Sequence, residues 1–513
     1  MKLRHVRYAS IYPCPQTASA DSTSTRPQKS GQRHLRLPFF FHFHIQIHAI
    51  DLTRFHIMAE QPKRPFIVMA AHAVNGHVQP IRLVASELIK LGYEITVLLP
   101  SAYKASFSRQ NLTFISLTGI ADYTEKDFDT LQPERKFWPP GLQQMAYRAI
   151  APTRAIFRQS RALQGIFRDL KARDPDRPIV MVQESWFRGN VPMLLRIPGQ
   201  ITVPVISLGV TPYMMPSIDF PPMGIRAFPD TSDEGRAKAK AQTRALLPHL
   251  ERAQREFKWV MEDLGLEEGK KIPYLMDHFQ LPDAYLQMCI PSLEFPRSDV
   301  PSNLKFIGCV PASDVDEWMD KPDWWGGLGG EILAVTQGTL DLDYTELIIP
   351  TIEAQKDRTE YPVVVVLGVR GAKLPEDVVV APHIHVLDYV PYTELLRISK
   401  LFITNGGFNG VQQAIAAGVP ILKAGNDGDK MATGNRIEYA GCGLDLWTSR
   451  PTPSQIQEGV ETVLTDPKYK KRVLEMQEES RKYDPIAFID DEIKAAAAGK
   501  YDGRVPTWKS FYD

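Results

Sequence analysis

A chain of 513 residues is about three times the ~150-residue prior for one domain, so two or more hydrophobic cores are expected. Hydrophobic residues at 43% and charged residues at 23% sit near globular averages, which argues against wholesale disorder and against a membrane bundle. Sixty basic residues balance sixty acidic ones with no basic stripe interleaved with aromatics, which argues against nucleic acid as a partner.

The first 57 residues differ from the rest, holding six of the twelve histidines, eight Lys or Arg and only Asp21 and Asp51 as acids. Within them Leu35 to Ile50 is the nearest approach to a spanning segment, but it is short and carries Arg36, Pro38 and three histidines. Three readings are open: a transit peptide, a disordered tail, or upstream sequence ahead of a true start at Met58, which we favour. Cys14, Cys289, Cys309 and Cys442 are far apart and show no C-x-x-C spacing, so neither a disulfide framework nor a zinc site is expected. A reducing, cytoplasmic location follows as the expectation.

From Pro65 the pattern becomes regular. Phe66 to Ala71 is a short apolar run, Pro80 to Leu91 has helical spacing closed by Gly92, and Glu94 to Leu99 is apolar again, which predicts a β-α-β unit. Pro178 to Val182 and Val203 to Leu208 add two more buried strands of the kind that fill a parallel sheet. Arg236 to Gly265 predicts surface helices. Prolines, acidic residues, three tryptophans and a Gly-Gly-Leu-Gly-Gly run mark an interdomain linker over 316–330.

Ile332 to Thr336, Val363 to Leu367, Ile384 to Leu387, Leu401 to Thr404 and Pro420 to Leu422 repeat the buried-strand pattern. The expected organisation is a leader over 1–57, a first α/β domain over 58–315, the linker, a second α/β domain over 331–485, and a tail over 486–513 with a helix over Ala487 to Ala498. That tail either crosses back onto the first domain or caps the second.

Ligands of open α/β sheets bind beyond strand carboxyl ends, and the chemistry-bearing residues cluster there. In Ala71 to Pro80, Gly76 permits a tight turn and Pro80 suits a first helical turn, holding His77 at a helix entrance whose dipole disfavours the imidazolium. A neutral imidazole there is suited to take a proton from an acceptor hydroxyl. Alternatively His77 only caps the turn, and His72 is a rival base. Glu184 follows the next strand and either orients a histidine or lies exposed in a loop.

This first loop lacks G-x-G-x-x-G, and no G-x-x-x-x-G-K-[ST] occurs anywhere, so neither a dinucleotide enzyme nor a P-loop kinase is favoured. In the second half, Asn405-Gly406-Gly407-Phe408 is a turn between a strand and the helix Asn409 to Ala417, which Gly418 ends. Two glycines and a helix N-terminus make a diphosphate site, or an ordinary βα turn. Thr336-Gln337-Gly338-Thr339, at the first strand end of the same domain, either closes over the same phosphates or is a plain junction.

Together these motifs resemble the UDP-glycosyltransferase family of plant, macrolide and fungal type, over about residues 65 to 485. Gly76-His77-Val78-Gln79-Pro80 is similar to its G-H-x-x-P, whose histidine is the general base, and Glu184 falls where the family has a supporting aspartate. Asn405 to Pro420 resembles H-x-G-W-N-S-x-x-E-A-x-x-x-G-V-P, with Asn405 for the phosphate-binding histidine, Phe408 for tryptophan, Asn409 matching, Gly410 for serine and Gln413 for the ribose-binding glutamate. Tyr389-Val390-Pro391-Tyr392 resembles W-x-P-Q, whose aromatic stacks on uracil, and Asp429-Lys430 resembles the D/E-Q pair that contacts the donor sugar.

The resemblance implies two Rossmann-like domains facing a cleft, the GT-B fold, and an inverting transfer of a hexose from a UDP-sugar to a small-molecule hydroxyl. It implies no metal and no further cofactor, the diphosphate being neutralised by the helix N-terminus and Thr339. UDP-glucose is the default donor. Phe137, Trp138, Met145, Tyr213, Met214, Met215, Phe220 and Phe257 suggest an apolar acceptor, or simply core. A nucleotide-sugar epimerase and a binding protein that has lost catalysis are the alternatives; sugar transfer to a phenol or alcohol separates them.

Overall fold

The computed structural model describes residues 63–131, 150–222, 224–310, 321–338 and 342–510. The leader, and with it Met58, lies outside the described residues, as do Phe137, Trp138, Met145 and Thr339. Thirteen described strands form two sheets. The first holds β1 (Phe66–Ala70), β2 (Glu94–Leu99), β3 (Thr113–Ser116), β4 (Ile179–Glu184), β5 (Val205–Gly209), β6 (Ala284–Gln287) and β7 (Leu304–Phe306), in the order β3-β2-β1-β4-β5-β6-β7. The second holds β8 (Ile332–Thr336), β9 (Val363–Val366), β10 (Ile384–Leu387), β11 (Ser399–Thr404), β12 (Ile421–Lys423) and β13 (Gly443–Asp445), in the order β10-β9-β8-β11-β12-β13.

Every strand pair is parallel. The expected class, α/β with two doubly wound parallel sheets, is therefore found. Each sheet is buried on both faces. Ile67 and Met69 point to one side of the first sheet, Phe66 and Val68 to the other, and each set joins its own apolar cluster under covering helices. That double burial is why the strands read as unbroken apolar runs.

The helix after β1 begins earlier than its spacing predicts, at Asn75 rather than Pro80, and runs to Lys90. Pro80 therefore sits inside the helix, where it offers no N–H to the carbonyl of Gly76; that residue is exposed, so water can serve the carbonyl instead. Gly76 is helical and makes no tight turn. The helices Asp233–Ala245 and Leu247–Asp263 fall on the stretch read as surface helices, yet the second buries Ala253, Phe257, Val260 and Met261 in the first core.

Both halves exchange segments with each other. Cys289, Ile290 and Leu293, which precede β7 in sequence, pack in the second half's core together with Trp325 from the stretch read as linker. The helix Pro485–Ala497 returns to the first half, placing Ile489, Ile493 and Ala496 in its core, and Asp490 Oδ1 accepts a 2.6 Å hydrogen bond from the Tyr93 hydroxyl.

A buried ion pair fastens the halves across their cleft. Arg436, on the helix Lys430–Ala440, donates from Nε to Oε1 of Glu294 at 2.6 Å, and both side chains are 4% exposed. The second carboxylate oxygen of Glu294 accepts from the Tyr213 N–H at 2.9 Å, and Arg436 also donates to the Tyr213 carbonyl. On the same helix Asn435 donates from Nδ2 to the Ile225 carbonyl.

The returning helix is part of the first core rather than an appendage. Ile493→Ala should lower unfolding free energy by about 2–5 kcal/mol in urea titration, the cost of a large-to-small change at a fully buried site. A loss under about 0.5 kcal/mol would show that the helix contributes nothing there.

Candidate functional site

In the first sheet the chain winds away from β1 in one direction through β2 and β3, and in the other through β4 to β7, so β1 and β4 flank a topological switch point. Loops diverge there and leave a crevice at the strand carboxyl ends. His77, the third residue of the helix after β1, and Glu184, the last residue of β4, meet at that crevice with Nδ1 3.0 Å from Oε1. Nδ1 is not aligned for a straight hydrogen bond, as is common before substrate tightens such a pair.

Glu184 is fully buried rather than an exposed loop residue. Its Oε1 accepts from the Trp186 N–H at 2.9 Å and the Ser185 hydroxyl at 3.1 Å, and its Oε2 accepts from the His72 N–H at 3.1 Å. Three protein donors thus hold the carboxylate in place before His77 is counted. A buried carboxylate so held fixes the ring it faces.

Burial lowers the pKa of His77, but the charge and hydrogen bond of Glu184, with smaller contributions from Asp429 and Glu125, outweigh it and raise the value above 6.5. The expected bias of the helix entrance toward the neutral ring is overridden. Because Glu184 occupies the Nδ1 side, Nε2 is the nitrogen left to take a proton. His72 lies beside it, ring centroids 5.3 Å apart, and is held well below the usual range by burial, by His77 and by Arg188. The rival base therefore stays neutral, and it is its backbone N–H, not its ring, that meets Glu184.

The second sheet repeats the device. Its switch point lies between β8 and β11, whose carboxyl ends carry Thr336-Gln337-Gly338 and Asn405-Gly406-Gly407. The Asn405 amide bridges the two loops, donating from Nδ2 to the Gln337 carbonyl, and Thr336 Oγ1 accepts from the Gly338 N–H at 3.2 Å. Gly406 has φ +91°, and a Cβ there would lie 2.8 Å from Cε of Lys423, whose stem passes directly behind it. A Cβ on Gly425 would come within 2.4 Å of the Asn405 carbonyl oxygen. Only glycine permits this layering.

The helix Phe408–Ala417 starts from this turn with no side chain capping its first N–H groups. It begins one residue earlier than the pattern predicts. Phe408 itself is buried in the second core, as is Val390, so each faces the crevice with backbone alone. Asn409 is half-buried and Gly410 buried in the first turn. Further along, Gln413 carries a buried Oε1 with no hydrogen-bond partner among the described residues.

Tyr389 has the guanidinium of Arg370 4.1 Å over its ring, a partner the sequence reading missed. Asp429 immediately precedes the helix Lys430–Ala440 without a side-chain capping bond, and its own pKa is raised by burial against the opposing charges of His77 and Lys430. Asp429 and His77 therefore feel each other across the cleft, which joins the two switch points in one site. Lys423 and Asp445, both fully buried, pair at 2.8 Å beneath the glycine turn; the apolar strand around them gave no sign of it.

Beside His77 an aromatic wall rises. Trp186 meets His77 edge-on at 6.4 Å and Phe279 at 5.2 Å, while Phe128 stacks on His72 at 6.4 Å. Tyr213, Met214 and Met215 cluster with Trp186 and with Ala432 of the opposite half, whereas Phe257 is core of the first half. Trp186 was the missed residue with a readable signal, an aromatic two positions beyond a strand-end carboxylate.

Residues 354–487 match a family model described as "Erythromycin biosynthesis protein CIII-like, C-terminal domain". Over 451 residues the chain is 33% identical to UDP-glycosyltransferase 2 of Phaeomoniella chlamydospora, covering 86% of this chain and 98% of that one. It is 33% identical over 449 residues to UDP-glucosyltransferase A1 of Starmerella bombicola, covering 86% and 94%. Among solved structures, the kitacinnamycin glycotransferase superposes with a TM-score of 0.61 at 18% identity, over 85% of this chain and 99% of that one. The calicheamicin glycosyltransferase does so with 0.57 at 17%, over 85% and 99%. These likenesses show the fold, GT-B.

The electrostatics give a test that needs no substrate. Replacing Glu184 with Gln removes the leading contributions that raise the His77 pKa while burial stays, so the His77 ring should titrate at lower pH in an NMR pH series than in the unmodified protein. An unchanged or higher value would mean that Glu184 does not govern this histidine.

Proposed function

This chain belongs to the UDP-glycosyltransferase family, and we propose on that footing that it moves glucose from UDP-glucose to a hydroxyl of a lipophilic small molecule, with inversion. The observation that carries the mechanism is the His77–Glu184 pair at 3.0 Å, set opposite the glycine turn of the second half. Relatives named UDP-glucosyltransferases support the choice of donor.

His77 Nε2 takes the proton of the acceptor hydroxyl as its oxygen attacks the anomeric carbon; the bond from that carbon to the diphosphate breaks, and UDP leaves toward the second half. A base with pKa raised above 6.5 is matched to neutral pH, since a stronger base drives transfer while a fraction stays unprotonated. Glu184 stabilises the imidazolium as it forms. Transfer therefore rises with pH through the His77 pKa.

The leaving diphosphate is met by the N–H groups that open the helix Phe408–Ala417, where the glycine turn Gly406-Gly407 lets it approach beside the strand end carrying Thr336 and Gly338. Tyr389 and the Val390 backbone take the base, Gln413 a ribose hydroxyl, Asp429 and Lys430 the sugar. Asn405 acts by tying the loops together, since its Nδ2 is given to Gln337. Charge neutralisation by these groups makes the reaction independent of metal and of any further cofactor.

No described helix is long and apolar enough to cross a bilayer. Cys289, Cys309 and Cys442 are free thiols, which supports a reducing compartment, and we assign the enzyme to the cytoplasm.

Two measurements test this reading. His77→Ala should reduce kcat/KM for transfer from UDP-glucose to a lipophilic phenol or alcohol by about 10²- to 10⁴-fold, the usual contribution of a general base; an unaltered rate would sink the mechanism. Treatment with EDTA should leave the rate unaltered, and loss restored by added Mg²⁺ would show that a metal meets the diphosphate.

A further inference from the structure

Arg188, four residues beyond Glu184, is 3% exposed. Among the described residues its guanidinium makes no hydrogen bond and no ion pair, and its buried Nε has no partner. Burying an unpaired charge is strongly unfavourable, so a buried cation without a partner calls for one. Desolvation brings its pKa down to about 10, against the countering influence of Tyr123 and Glu184.

Its surroundings place it on the acceptor side of the cleft. The guanidinium carbon lies 5.8 Å from the ring of Trp186, and the same indole meets His77 at 6.4 Å, so Arg188 and the base share one aromatic neighbour. Tyr123, 3% exposed, also buries an unpartnered hydroxyl. It is near enough for Arg188 to lower its otherwise raised pKa. Tyr123 packs on Phe128, and Phe128 on His72 beside the base. A cation and a hydroxyl, both buried and neither hydrogen-bonded among the described residues, thus sit beside the aromatic wall.

We propose that Arg188 and the Tyr123 hydroxyl receive a carboxylate of the acceptor, so that the enzyme glycosylates hydroxy acids, with the hydroxyl at His77 and the carboxylate at the guanidinium. Planar guanidinium suits carboxylate, and the Tyr hydroxyl adds a second donor. The apolar body of such a molecule lies along Trp186 and Phe128. The assignment rests on the transferase reading above and adds the chemical class of its acceptor.

The test compares 4-hydroxycinnamate and 12-hydroxydodecanoate with their methyl esters as acceptors for UDP-glucose. At least one acid should exceed its ester about tenfold or more in kcat/KM, and Arg188→Met should cut that acid-to-ester ratio about tenfold or more, the scale of a lost charge-assisted hydrogen bond. Arg188→Met keeps the buried stem; should it fail to fold, Tyr123→Phe, which removes one oxygen, should still lower the ratio several-fold.

Taking the ratio separates recognition of the carboxylate from support of Glu184, because loss of support slows acid and ester alike. Equal rates for acid and ester in the unmodified enzyme, or a selectivity that survives both substitutions, overturns the proposal and leaves the transferase reading standing. Transfer to none of the four, with UDP-glucose bound, overturns both.

Discussion

The ion pair between Arg436 and Glu294 sets the geometry on which the site depends. Each sheet by itself presents only half of a reaction: a base with its carboxylate at one switch point, a glycine turn with a helix end at the other. Glu294 spends one oxygen on Arg436 and the other on the Tyr213 N–H, so the helix that begins at Lys430 is keyed to the loop that walls the acceptor side. Truncating either partner would strand a buried charge, which is far more costly than the pair is stabilising. Asp429, at the head of that helix, is thereby brought within the electrostatic reach of His77.

Charge in the cleft is arranged with economy. Glu184 is compensated by three donors and His77; Lys423 and Asp445 cancel beneath the glycine turn. The turn itself relies on peptide N–H groups, which carry potential without a counter-charge and cannot titrate. Where the family motif has a histidine, Asn405 serves as a brace between two loops, its Nδ2 given to the Gln337 carbonyl. Against that balance Arg188 stands out as a buried cation with no ion pair among the described residues.

The parallel architecture was legible because buried strands leave an apolar run that no surface demand interrupts; β2, β8 and β10 were readable to the residue. Four strands were not, since β3, β7 and β13 are short or partly exposed and β6 carries polar Gln287 into the interior, where it donates to the Thr211 carbonyl. The helix start at Asn75 was hidden by Pro80, whose preference for the first turn gave way to an exposed carbonyl that water can satisfy. In the site, motif spacing marked His77, Glu184 and the Asn405 turn. It gave no hint that the side chains of Phe408 and Val390 turn inward, that Lys423 runs beneath Gly406, or that Arg370 covers Tyr389, because each depends on residues brought together from distant segments.

The return of the helix Pro485–Ala497 to the first half also bears on how the chain is made. Synthesis delivers β1 to β7 first, yet Ile489, Ile493 and Ala496, which seal one face of that sheet, emerge last. Until they do, the helix Asn75–Lys90 and the apolar surface beside it lack their cover, and exposed surface of this kind invites association between nascent chains. The whole of the second half is thus made before the residues that complete the core of the first.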